Sequence, residues 1–86
     1  MATRAAVDVF AYRDYRAFLR AYYDRRKAEK SGFSHAEFSQ RIGLRSPNYL
    51  KLVMDGARNL TSDLAVRFAE GCGLRDDPLR YFCALV

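Results

Sequence analysis

An 86-residue chain with a net charge of +5 and half of its residues hydrophobic has room for one small domain. Such a domain buries only about 60–65% of its unfolded surface. The apolar content excludes a disordered tail, and no run approaches the roughly 20 apolar residues of a membrane span. Met1–Ala6 lacks the apolar stretch of a secretory signal, so a cytoplasmic location is expected.

Residues 1–12 read as an extended lead-in, with Val7, Val9 and Phe10 packed on the helices. Tyr15, Phe18, Leu19, Tyr22 and Tyr23 then recur at helical spacing, the buried stripe of an amphipathic helix that starts at Asp14 and stops at Ser31-Gly32. Arg16, Arg20, Asp24 and Lys27 fall outside that stripe, and Arg20, Arg25, Arg26 and Lys27 read as a solvated basic cluster. Ser34 with Glu37 is a capping box that opens a second helix, with Phe33 and Phe38 as its hydrophobic staple. That helix buries Phe38 and Ile42 and ends at Gly43.

A three-residue turn, Gly43-Leu44-Arg45, leads to Ser46 as N-cap and Pro47 as first residue of a third helix over 47–55. Leu50 and Val53 face inward there, and Asp55-Gly56 is the stop. Thr61 caps a fourth helix carrying Leu64, Ala65, Phe68, Ala69 and Cys72, ended by Gly73. Asp77-Pro78 opens a fifth, with Leu79, Phe82, Leu85 and Val86 apolar. No strand pattern and no internal repeat occurs. The expected class is all-α, a compact five-helix bundle.

Cys72 and Cys83 form no C-x-x-C, and His35 is the only histidine, so the cysteines read as small buried hydrophobes and neither a metal nor a cofactor is expected. Paired catalytic carboxylates and a nucleophile with a histidine partner are missing, and Gly71-Cys72-Gly73 reads as a helix end, so no enzymatic activity is expected.

Twelve of the 15 cations are arginine, which suits bidentate contacts to phosphate and guanine. Residues 1–60 hold 12 cations and 6 anions, and residues 61–86 hold 3 and 4. A basic front on a neutral support fits a nucleic-acid face. Two short helices joined by a glycine-containing turn, over residues 34–55, are the sequence form of a helix-turn-helix.

Residues 34–60 resemble the phage-repressor (Cro/Xre-like) helix-turn-helix, through the polar cap at Ser34, Ile42-Gly43-Leu44, Ser46 and Gly56-Ala57-Arg58-Asn59. Cys72-Gly73-Leu74 resembles the end of that family's fourth helix. Asp14-Tyr15-Arg16, Phe18-Leu19, Gly32-Phe33-Ser34, Tyr49-Leu50 and Tyr81-Phe82 further resemble the N-terminal domain of a bacterial family of uncharacterised transcriptional regulators. The resemblance implies a lambda-repressor-like DNA-binding domain over 13–86 that binds double-stranded DNA and either forms a homodimer or precedes a larger C-terminal domain.

By the resemblance, Ser34 and His35 meet phosphate at the start of the second helix, Ser46 and Asn48 approach base edges, and Arg58 and Asn59 clamp the backbone. A helical wheel adds that Asn48, Lys51, Leu52 and Asp55 lie opposite Leu50 and Val53. Asn48 suits adenine, Lys51 suits guanine or phosphate, Tyr49 lies at the flank of the base contacts, and Arg45 adds to the phosphate contacts. The alternative reading is a helix-turn-helix that serves protein interaction or dimerisation. It draws on Leu52, Asp55 and the apolar segments Val7–Phe10 and Phe82–Val86.

Overall fold

The computed structural model describes residues 7–30 and 32–86, so expectations for Met1–Ala6 and Ser31 lie outside the described residues. A short 3-10 helix over Val9–Ala11 precedes five α-helices: α1 (Tyr15–Glu29), α2 (His35–Arg41), α3 (Tyr49–Met54), α4 (Ser62–Gly71) and α5 (Asp76–Leu85). No strand occurs among the described residues, and the class is all-α.

Helix starts follow local chemistry. Asp14 Oδ1 accepts from the Arg16 amide at 3.0 Å, Ser34 Oγ from the Glu37 amide at 3.1 Å, and Thr61 Oγ1 from the Leu64 amide at 3.3 Å. Each extended residue thereby satisfies one of the amides that a helix start leaves unpaired. The capping box at α2 is only half made. The Glu37 carboxylate pairs with Lys30 at 3.2 Å and Arg41 at 3.5 Å instead of returning to Ser34.

Helix ends follow one rule. Gly43 takes φ +82°, which lets the Leu44 amide donate to the Ser39 carbonyl at 2.8 Å and the Gly43 amide to Gln40 at 3.1 Å. This left-handed cap recurs at Gly56 and Gly73, closing α3 and α4. α5 differs from expectation in starting at Asp76, one residue before Asp77-Pro78. Asp76 has φ +55°, a conformation that L residues other than Asn and Asp seldom adopt.

The core is a relay of aromatic rings. Phe82 of α5 meets Phe18 of α1 at 5.8 Å; Phe18 leads through Tyr22 to Phe38 of α2, then Phe68 of α4, then Tyr49 of α3. Most of these pairs are steeply inclined, a geometry that contributes about 0.5–1.5 kcal/mol per pair beyond area burial. The first segment is not an extended lead-in throughout. Asp8 Oδ1 accepts from the Phe10 amide at 3.0 Å to open the 3-10 turn, and Tyr81 donates its hydroxyl to the Tyr12 carbonyl at 2.5 Å. Val9 is buried, whereas Phe10 stays half exposed against Tyr81.

Candidate nucleic-acid interface

α2 and α3 pack through Phe38, Leu50 and Val53, each fully buried, with Met54 buried beside them. The connection is longer than the sequence suggests. Seven residues, Ile42 to Asn48, separate α2 from α3, and the third helix covers Tyr49–Met54 rather than 47–55. Ser46 is not its N-cap. The Ser46 carbonyl accepts from the Tyr49 amide at 3.5 Å, so Ser46–Tyr49 forms a turn with Pro47 inside it. Asn48 occupies the cap with φ −101° and ψ 5°, outside the extended region that side-chain capping requires, and its amide makes no cap bond. Ser46 and Asn48 are therefore exposed, with side chains uncommitted among the described residues.

Along α3, Lys51 and Asp55 stand one turn apart and pair at 2.9 Å. Asp55 also lies 3.9 Å from Arg20. The Lys51 hydrogen bond, with the charges of Lys51 and Arg20, holds the Asp55 carboxyl below the usual carboxylate range. Leu52 is half-buried. Tyr49 is engaged within the fold, its ring 6.0 Å from Phe68 and its hydroxyl donating to the Asn59 carbonyl at 3.3 Å.

Arg45 before α3 and Arg58 after it are both exposed, and neither guanidinium has a hydrogen-bond or ion-pair partner among the described residues. Asn59 Oδ1 accepts from Arg16 at 2.6 Å, leaving its NH2 group unpaired among those residues. At α2, Ser34 is committed to its cap, while His35 stacks on Tyr23 with centroids 4.2 Å apart and planes 7° apart. Burial, then the positive charge of Lys51, lowers the His35 pKa, with Asp55 opposing and Lys27 assisting; the imidazole is neutral near pH 7.

Arg20, Arg25 and Lys27 of α1 are exposed, as expected of a solvated cluster, yet the cations of this helix also have partners within the fold. Arg16 donates Nε to the Val53 carbonyl at 2.9 Å and its terminal NH2 to the Arg58 carbonyl at 3.2 Å. Arg20 donates to the Met54 carbonyl at 2.9 Å. Two guanidinium groups thus sit at the carbonyl end of α3, where the helix dipole favours positive charge. Arg25 and Arg26 pair with Glu29, and Lys27 donates to the Phe33 carbonyl at 2.8 Å. The spacing of Arg16 and Arg20, four residues apart at the edge of the apolar stripe, is the sequence signal of this role.

Among the described residues no group of three or more His, Cys, Asp or Glu side chains is placed to hold a metal ion, and no helix is long and apolar enough to cross a membrane. Cys72 and Cys83 are free thiols, and desolvation raises both thiol pKa values, most strongly at Cys72. No protein-family model, curated protein or solved structure matches the chain.

Proposed function

We propose that residues 13–86 form the DNA-binding domain of a bacterial transcriptional regulator, with α3 entering the major groove of double-stranded DNA. The observation that carries this reading is the frame around α3. A short helix locked on the core exposes Asn48 and Lys51, with Arg45 and Arg58 unpartnered at its two ends among the described residues. The groove is about 12 Å wide and admits one helix. Asn48 offers adenine a donor and an acceptor, Lys51 offers guanine a donor, and Ser46 stands at the entry. Arg45, Arg58, the Asn59 NH2 group, His35 and the α2 start beside Ser34 supply phosphate contacts, which fix register without reading sequence. The resemblance of residues 34–60 to the phage-repressor helix-turn-helix supports the same assignment.

One such module reads a short half-site, so a homodimer or a following domain provides the second. A nucleoid location in the cytoplasm and a role without catalysis accompany this reading. The test is duplex binding by fluorescence anisotropy across salt concentrations. Binding is expected to weaken steeply with salt, and Lys51→Ala with Arg58→Ala to weaken it further and flatten the salt slope by about one unit, from the Arg58 contact. No binding at low salt, or identical binding by the double variant, refutes the reading.

The half-exposed Phe10 against Tyr81, together with the internally neutralised Lys51–Asp55 pair, favours the second reading, a protein-interaction or dimerisation module. Light scattering with and without duplex separates the two: a self-complex that duplex does not displace supports interaction.

A further inference from the structure

We propose that Asp55 is a further specificity-determining residue of α3, beside Asn48 and Lys51: it keeps Lys51 from pairing with arbitrary phosphates and rejects base edges that offer it no hydrogen-bond donor. This inference rests on the DNA-binding reading. Lys51 and Asp55 are the only charged side chains of the segment Tyr49–Asp55, and both are substantially exposed, at 57% and 43%. Their 2.9 Å contact makes that face neutral overall. Adhesion to an arbitrary phosphate backbone must then come from Arg45 and Arg58, off the helix.

On entering a groove the two side chains need opposite partners. Lys51 has only donors and finds acceptors at guanine O6 and N7. Asp55 has only acceptors and finds donors at cytosine N4 or adenine N6. Opposite guanine or thymine the carboxylate loses water and gains no hydrogen bond, a cost that falls on the wrong sequence alone. Arg20, at 3.9 Å, adds a positive charge beside the carboxylate on the α1 side.

The closure of α3 does not depend on the Asp55 side chain. α3 closes through backbone bonds, the Ala57 amide to the Leu52 carbonyl at 2.9 Å and the Gly56 amide to Val53 at 3.1 Å. Arg20 keeps the Met54 carbonyl. Asp55→Asn therefore changes charge with little change in structure, which thermal unfolding checks directly.

The experiment compares wild type, Asp55→Asn and the Lys51→Gln/Asp55→Asn double variant. Each is titrated against random-sequence duplex and against duplexes selected by the wild type from a random pool, at several salt concentrations. One added phosphate contact steepens the salt slope by about 0.9, so Asp55→Asn is expected to bind random duplex roughly five- to tenfold tighter at about 0.1 M salt. Its preference for selected over random duplex falls correspondingly, and the double variant returns to near wild-type affinity on random duplex. Binding of random duplex by Asp55→Asn where wild type shows none also supports the proposal. Equal affinity, slope and selectivity in wild type and Asp55→Asn overturn it while leaving DNA binding intact. No duplex binding by any of the three overturns both.

Discussion

Arg16→Met isolates the contribution of α1 to the position of α3. Methionine keeps most of the aliphatic stem and removes the guanidinium, with its bonds to the Val53 carbonyl, the Arg58 carbonyl and Asn59 Oδ1. The three losses are unequal. The Arg58 and Asn59 acceptors are exposed, so water replaces the guanidinium at small cost. The Val53 bond is partly buried, and although the Gly56 amide still donates to that carbonyl, a charge-assisted bond is lost. Such a bond is worth about 1.5–3 kcal/mol, and the helix-end charge adds about 0.3–1 kcal/mol at low salt.

The expected destabilisation is about 2–3 kcal/mol. At about 4–8 °C per kcal/mol for a domain of this size, the Tm falls by roughly 10–20 °C. Urea unfolding followed by circular dichroism measures it, with the slope in denaturant unchanged. Arg16→Lys recovers part of the loss, since one ammonium cannot span three acceptors. A loss below about 1 kcal/mol for Arg16→Met, or full recovery by Arg16→Lys, would refute the claim that this guanidinium anchors α3.

Gly71→Ala places a Cβ 2.5 Å from Ile42 Cγ2 and 3.1 Å from the Phe38 ring. Overpacking outweighs the gain in helix propensity, for a net loss of about 1–2 kcal/mol, and this cost is expected to shrink in an Ile42→Ala background, which lacks Cγ2. An unchanged or raised Tm for Gly71→Ala contradicts this packing. His35 predicts a pH slope. Its folded pKa lies below the ordinary 6.5, so the unfolded chain binds the extra proton first. Its contribution is complete above pH 6.5 and is lost as pH falls from there toward the folded value. Asp55 and Glu37, held below ordinary carboxylate values, lose their contributions only at lower pH. The dependence of stability on pH just below about pH 6.5, measured by urea unfolding, is therefore expected to flatten in His35→Gln, and an unaltered slope opposes the assignment.

The punctuation of the fold was legible from single residues. Asp14, Ser34 and Thr61 cap helices because a short polar side chain reaches an amide two or three positions on, a purely local geometry. Gly43, Gly56 and Gly73 end helices because a positive φ is inexpensive only there. The same logic misplaced the start of α3. Ser46-Pro47 satisfies every local preference for a helix start, yet the chain uses these residues in a turn and delays the helix to Tyr49. That choice accompanies the docking of Leu50, Val53 and Met54 on the core and of Tyr49 between Phe68 and Asn59. Contacts between residues distant in sequence carry no local signature.

By itself the sequence determined an all-α chain, the approximate limits of its helices and most of its buried aromatic residues, Phe10 and Tyr23 being less buried than their pattern suggests. These follow from side-chain periodicity and from capping within four residues. Only the tertiary structure decided what the charges do. Lys51 is held by Asp55, and Arg16 and Arg20 of α1 serve carbonyls 34 to 42 residues away. Arg45 and Arg58 remain unpartnered among the described residues. A cation chooses its partner by distance in space, so a net charge of +5 resolves into roles only when the helices are packed.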